Sequence, residues 1–149
     1  MACDRIELAA SMHDVGRLCI PDVILRRRAK LGAAEWEVMK THTRIGHGIL
    51  SKSKAPLFQL AAEIALRHHG KWDGSGYPDQ RVGGAIPESA RIVALVDVFD
   101  ALTMDRPYKA TWPIDTAVTV IENSVGVHFE PRLVEVLLSV LPEILRTYP

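Results

Sequence analysis

From Ser89 to Met104 the chain is almost continuously apolar, through Ile92, Val93, Ala94, Leu95, Val96, Val98, Phe99, Ala101 and Leu102. The segment reads as helix, and a helix apolar on every side belongs in the interior. Whatever the chain folds into must therefore wrap its other elements around this one. Those elements also carry helical spacing: Ile6 to about Val15, Ala33 to His42, Ile45 to Ser51, Leu57 to His69, Ile114 to Val125 and Pro131 to Leu145. Gly16 is placed to end the first, and Trp36, Val38 and Met39 are candidate core residues of the second. Pro21 starts a brief turn over Asp22 to Leu25. The only β-branched run, Val118 to Ile121, has flanks that favour helix, and there is no internal repeat or low-complexity segment. The expectation is an all-α bundle of about six to seven helices, a single domain over residues 1–149.

Composition narrows the function classes. The 149 residues are 48% apolar and 24% charged, an ordinary globular mixture with enough length to bury a core. Eighteen Lys plus Arg balance eighteen Asp plus Glu, so there is no basic excess with which to grip duplex nucleic acid. The basic run from Arg26 to Lys30 reads as a solvated face. Cys3 and Cys19 have no disulfide or zinc spacing and read as reduced thiols of a cytoplasmic protein. No apolar stretch approaches the ~20 residues a membrane span needs, and Met1 to Ile6 lacks a signal-peptide core.

One segment is aperiodic. Gly70 to Pro87 contains Gly70, Gly74, Gly76, Gly83 and Gly84 with Pro78 and Pro87. Loops beyond ~12–15 residues are uncommon in compact domains and are mostly functional. Trp72 and Tyr77 argue against a disordered linker, so the expectation is an ordered loop over a site.

Chemistry-bearing residues gather at the helix ends. Asp97 and Asp100 stand three apart on the apolar helix, near one face, where a carboxylate is costly unless paired or bound to a metal. Arg91 or Arg106 is a candidate ion-pair partner. His13-Asp14 closes the first helical stretch, His42 the next, and His68-His69 the one before the glycine-rich loop. A lone histidine on an apolar face is usually a core histidine, but four of them with aspartates describe a mixed N/O ligand set. Such a set without thiolates suits Fe, Mn, Co, Ni or Zn. Six ligands exceed one tetrahedral ion, and two ions sharing a carboxylate would use them. Paired metals ~3.5–4 Å apart are the common device for hydrolysing phosphate esters.

The order His13-Asp14, His42, His68-His69, Asp97 resembles the HD superfamily of metal-dependent phosphohydrolases. The run His68-His69-Gly70-Lys71-Trp72-Asp73-Gly74-Ser75-Gly76-Tyr77-Pro78 is similar to its HD-GYP subgroup. Ile20-Pro21-Asp22, Asp97-Val98-Phe99-Asp100-Ala101-Leu102, Asp105-Arg106-Pro107-Tyr108-Lys109 and Gly126-Val127-His128-Phe129-Glu130-Pro131 support it. The resemblance implies an all-α phosphodiesterase acting on the bacterial second messenger cyclic di-GMP and releasing pGpG or GMP. It implies two divalent transition-metal ions, Fe or Mn foremost and Ni, Co or Zn as alternatives. His13, Asp14, His42, His68, His69 and Asp97 match the ligands, with Asp14 bridging. Tyr77 and Pro78 match the border of the substrate pocket, Arg106 and Lys109 match phosphate contacts, and Asp100 matches an acid near the substrate. His47 and His128 match no ligand and read as structural.

The pattern departs from the family in three places. Only twelve residues precede His13, none of them histidine, where the family has a helix pair with further ligands. Arg17 stands where the family has lysine, so the catalytic role expected there passes to a guanidinium. Gly70 stands where glutamate is common. These departures leave a second reading, a module of the same fold that binds nucleotide or docks a GGDEF-type domain without turnover. A third is a phosphohydrolase for another nucleotide. The family also implies a receiver or sensor domain upstream.

Overall fold

The computed structural model of the protein describes residues 2–104 and 112–147. Arg106 and Lys109 lie outside the described residues. The elements are α1 (Ala2–Ala10), a 3-10 segment (Val15–Cys19), the single-turn α2 (Asp22–Leu25), α3 (Ala33–Lys40), α4 (His42–Leu50) and α5 (Pro56–Arg67). A second 3-10 segment (Gly83–Ala85) follows, then α6 (Glu88–Thr103), α7 (Ile114–Glu122) and α8 (Pro131–Thr147). The expected all-α class is borne out. Prolines mark the starts of α2, where Pro21 precedes Asp22, and of the four helices from α5 on. Pro56 and Pro131 are the first residues of α5 and α8, and Pro87 and Pro113 immediately precede α6 and α7. Proline suits these positions because its missing N–H has no partner there and its fixed φ is already helical.

The apolar residues form two cores, and α6 serves both. Ala9 of α1, Leu50 of α4 and Ala61, Ala62, Ile64 and Ala65 of α5 meet Val93 of α6. Ile121, Phe129, Leu133, Val134 and Leu137 meet Leu95 and Phe99. Val93 and Leu95 are two residues apart, about 200° around the helix, so they face opposite ways. This is why α6 shows no polar face in the sequence. It is not sealed all round, however, because Val96 is half exposed on a third side.

Several boundaries shift, each for a local reason. The first helix stops at Ala10 rather than running to Val15. Met12 and His13 donate their N–H groups three residues back, to Ala9 and Ala10, which tightens the chain into a turn. The helix expected through His42 breaks at Thr41, whose N–H bonds to Val38, so His42 opens α4 instead of closing α3. Trp36 and Val38 are not core residues: they are 45% and 38% exposed, and α3 buries no residue at all. It lies over the glycine-rich loop, with Trp36 edge-on to Tyr77 at 6.1 Å. No described helix is long and apolar enough to cross a membrane.

The 3-10 segment is set directly on α4. A Cβ at Gly16 would fall 1.9 Å from the carbonyl oxygen of His42 and 2.6 Å from the nitrogen of Gly46. Both obstacles are backbone, so neither can swing aside. Gly48, on the same helix, has nothing within 4 Å of its would-be Cβ. Gly16→Ala should therefore destabilise the protein by about 3 kcal/mol or more. Gly48→Ala should be neutral or stabilising by up to about 1 kcal/mol. Urea denaturation of the two variants checks this, and equal midpoints would contradict the close contact.

Candidate metal centre

Three backbone carbonyls aim three imidazoles. The Nδ1 of His13 lies 2.7 Å from the Ala10 carbonyl, and that of His42 lies 2.7 Å from the Met39 carbonyl. The Nδ1 of His68 sits between the carbonyls of Ile64 and Ala65, at 3.2 and 3.1 Å. A carbonyl only accepts, so each Nδ1 carries the proton and donates it. That places the lone pair of each ring on Nε2, the tautomer a metal ligand needs.

The Nε2 atoms converge. Ligand atoms of Asp14, His42, His68 and His69 lie within 4.8 Å of one another. His42 and His68 are fully buried, Asp14 and His69 partly so. Asp14 faces two ways: its Oδ1 is 3.4 Å from His42 Nε2 and 3.6 Å from His68 Nε2, while its Oδ2 is 3.3 Å from His13 Nε2. His13 Nε2 is also 3.8 Å from Asp97 Oδ1, which reaches in from α6. Among the described residues, the buried side-chain atoms without a hydrogen-bond partner are His13 Nε2, Asp14 Oδ1, Arg17 Nε, His42 Nε2, His68 Nε2 and His69 Nε2. All belong to this cluster. Each such atom costs about 1–3 kcal/mol if left alone, and four imidazole lone pairs with a carboxylate are the donors a divalent cation takes. The residues fit a metal.

The electrostatics agree with that chemistry. Burial would raise Asp14, but its contacts with His13 and His68 and the charge of Arg17 hold it far below the usual carboxylate range. Burial lowers His42 against the pull of the Met39 carbonyl, and it pushes His69 down to about 2 with the help of His68 and His42. His13 is the exception. Burial acts to lower it, but Asp14, the Ala10 carbonyl and Asp97 together hold it above its ordinary value. The cluster thus presents an ionised carboxylate at Asp14 and neutral imidazoles at His42 and His69, the forms that bind metal.

Arg17 Nε stands 2.9 Å from Asp14 Oδ1, an ion pair without hydrogen-bond alignment. Tyr77 stacks on His69 with centroids 4.8 Å apart and planes at 21°, and burial raises its phenol well above the ordinary value. Pro78 lines a neighbouring cavity. Asp100 borders a groove of about 590 Å³ with His13 and Asp97. Glu7, which the sequence did not mark, lines it too. His47 faces a separate cavity beside Glu63 and Arg67, and His128 stacks on Phe129 at 4.2 Å. Neither histidine belongs to the described cluster.

The glycine-rich loop is held by the chain just before α8, a connection no spacing rule revealed. Trp72 and Asp73 donate N–H groups to the carbonyls of His128 and Val127, each at 3.0 Å. Arg91 donates to the Ile86 carbonyl at 2.9 Å, pairs with the buried Glu130, and lies over the Trp72 ring at 5.6 Å. Tyr77 N–H reaches the His69 carbonyl at 3.2 Å. Gly76 passes so close that a Cβ there would be 2.4 Å from Lys71 N and 2.5 Å from His69 O. The loop cannot shift without moving a cluster histidine.

A helical fold built around a histidine–aspartate cluster that fits a divalent metal is the class these observations define. The chain belongs to the HD domain family, whose model matches residues 1–133. It is 52% identical over 133 residues to the cyclic di-GMP phosphodiesterase response regulator RpfG of Xanthomonas campestris pv. campestris, covering 89% of this chain and 35% of that protein. It is 49% identical over 136 residues to the 3'3'-cGAMP-specific phosphodiesterase 2 of Vibrio cholerae, covering 91% of this chain and 26% of that protein. A crystal structure of a cyclic GMP-AMP-specific phosphodiesterase of V. cholerae shares the fold, with a TM-score of 0.68 at 22% identity over 93% of this chain and 38% of that one. The chain thus spans between about a quarter and two-fifths of the length of these three relatives. The family expected from His13-Asp14 and the Gly76-Tyr77-Pro78 run is borne out.

Titrating Mn(II) or Zn(II) into the protein should raise its melting temperature, by the equivalent of about 2.7 kcal/mol at a hundredfold excess over Kd. Asp14→Ala should abolish the rise and His69→Ala should weaken it. Differential scanning calorimetry checks both, and an undiminished shift in Asp14→Ala would place the metal elsewhere.

Proposed function

We propose that this chain is the hydrolytic domain of a metal-dependent phosphodiesterase that opens cyclic di-GMP to linear pGpG and then GMP. The observation that carries the reading is Asp14, whose two oxygens face different histidines, His42 and His68 on one side and His13 on the other. A carboxylate so placed suits a bridge. His42, His68 and His69 would hold one ion and His13 and Asp97 a second, with Asp14 serving both. The donor set suits Fe or Mn, with Ni, Co and Zn as alternatives. Paired ions of this kind activate water near neutral pH and offset charge on phosphoryl oxygens.

The chain's own groups would supply the rest. Arg17, beside Asp14, offers N–H donors to a phosphate oxygen entering the cluster. Tyr77, kept a neutral phenol by burial, is a hydrogen-bond donor at the same edge. Asp100, one turn beyond Asp97, would border the substrate. Arg106 and Lys109 would hold the diester, a role taken from the family resemblance. The 49% identity to a 3'3'-cGAMP-specific enzyme favours that dinucleotide as a second substrate. Receiver, sensor or GGDEF-type domains as partners, and a cytoplasmic setting, belong to the same proposal. A response regulator is among the relatives. The gathering of unpaired ligand atoms speaks against a module that has lost its catalytic site.

The test is anaerobic incubation of cyclic di-GMP with the chain loaded with Fe(II) or Mn(II), followed by product chromatography. The expected result is linear product from the wild type and a loss of at least about 100-fold in Asp14→Ala, since even outer partners of metal ligands cost 10–100-fold. Fully metal-loaded protein that leaves cyclic di-GMP intact would overturn the reading.

A further inference from the structure

Beside the metal cluster, on the far side of no more than one aromatic ring, lies a small cavity of about 230 Å³ lined by Glu37, Lys40, Thr41, Arg44, Tyr77 and Pro78. It is smaller than the about 300–1,000 Å³ of drug-sized sites, so it suits one base rather than a dinucleotide. We infer that this cavity is a guanine-recognition subsite, with Tyr77 and Pro78 as the surface the base lies on and Glu37, Lys40 and Arg44 reading its edge. The inference rests on the proposed function and deepens it by naming what selects the substrate.

The Tyr77 ring is braced on several sides: stacked on His69 at 4.8 Å, met edge-on by Trp36 at 6.1 Å, and faced by the Lys40 ammonium at 5.8 Å. His69 fills one face of the ring, so a base would stack on the face that Lys40 lies over, moving the ammonium aside to the edge of the base. Around it stand two cations and one carboxylate. Lys40 and Arg44 are four apart across the α3–α4 junction, and Glu37 Oε1 is 2.8 Å from Lys40 Nζ. Two cations alone would fit a phosphate, but the Glu37 carboxylate would repel it. Guanine satisfies all three, because its O6 and N7 accept while its N1–H and N2–H donate. Adenine offers a single exocyclic donor and acceptors that would meet Glu37 unfavourably. The Glu37–Lys40 pair is exposed on the Glu37 side, at 70%, and such a pair is weak enough to be exchanged for base contacts.

Position supports the assignment. Tyr77 touches His69 directly, so a base lying on Tyr77 would keep its own phosphodiester within one nucleotide of the cluster. A single guanine subsite would accept either cyclic di-GMP or 3'3'-cGAMP, each of which carries a guanine, and would reject cyclic di-AMP.

Isothermal titration calorimetry of the metal-loaded chain with GMP and with AMP isolates the base, since the phosphate is common to both. GMP should bind at least about 10-fold more tightly, as a good edge contact is worth about 5- to 150-fold. Glu37→Gln and Arg44→Met, both at exposed helical positions that tolerate these residues, should each reduce that ratio to below about threefold. Equal binding of the two nucleotides by the wild type, or an unchanged ratio in both variants, would overturn the inference. Cyclic di-GMP turnover in the same preparation separates the two claims. Turnover without a GMP preference removes the subsite alone, and a GMP preference without turnover removes the phosphodiesterase reading while upholding the subsite.

Discussion

The backbone of Gly16 rests against the carbonyl of His42 with no room for a single methyl group, and the site depends on that contact. Asp14 lies two residues before it in the turn that ends α1, and His42 is the first residue of α4. Pressing the two backbones together puts the Asp14 carboxylate within 3.4 Å of His42 Nε2. The same approach lets α4 settle on α5, where a Cβ on Gly46 would meet the Ala65 side chain at 3.3 Å. His68 then arrives three residues further on, just past the end of α5. Small residues at these crossings do what large ones cannot, which is to bring ligands from three elements to one point.

Aim is a separate matter from proximity. Imidazoles in a cluster can point either nitrogen inward, and a carbonyl bonded to Nδ1 decides which. His13, His42 and His68 each take that carbonyl from the preceding turn of their own chain segment. The orientation is thus built into local helix and turn geometry, and it does not wait for a metal. The carboxylate and rings then set one another's protonation, Asp14 ionised and His42 and His69 neutral.

The glycine-rich loop is held from outside rather than by its own sequence. Backbone bonds to residues 127 and 128 and the Arg91–Glu130 pair fasten Trp72 and Ile86 to the C-terminal half of the molecule. Since α6 also joins the two cores, the loop and the cluster share one rigid support. Precision at Tyr77 follows from that support.

Much of this was legible in the residues themselves. Prolines and apolar spacing located the helices, the all-round apolar character of residues 89–104 marked α6 as central, and His13, Asp14, His42, His68, His69 and Asp97 stood out as a ligand set because their chemistry is scarce inside a core. Periodicity tells which residues share a face, however, not what that face meets. Trp36 and Val38 looked like core residues, yet tertiary packing left α3 outside, where Trp36 braces Tyr77. Glu37, Lys40 and Arg44 carry no mark in the sequence, and only folding sets them around a cavity with Tyr77 and Pro78. Arg91 and Glu130 are 39 residues apart, and only folding brings the two charges together. The sequence by itself determined the elements and the ligand types, which depend on local backbone preference and side-chain chemistry. The tertiary structure alone decided which faces and atoms converge, because that depends on contacts between segments remote along the chain.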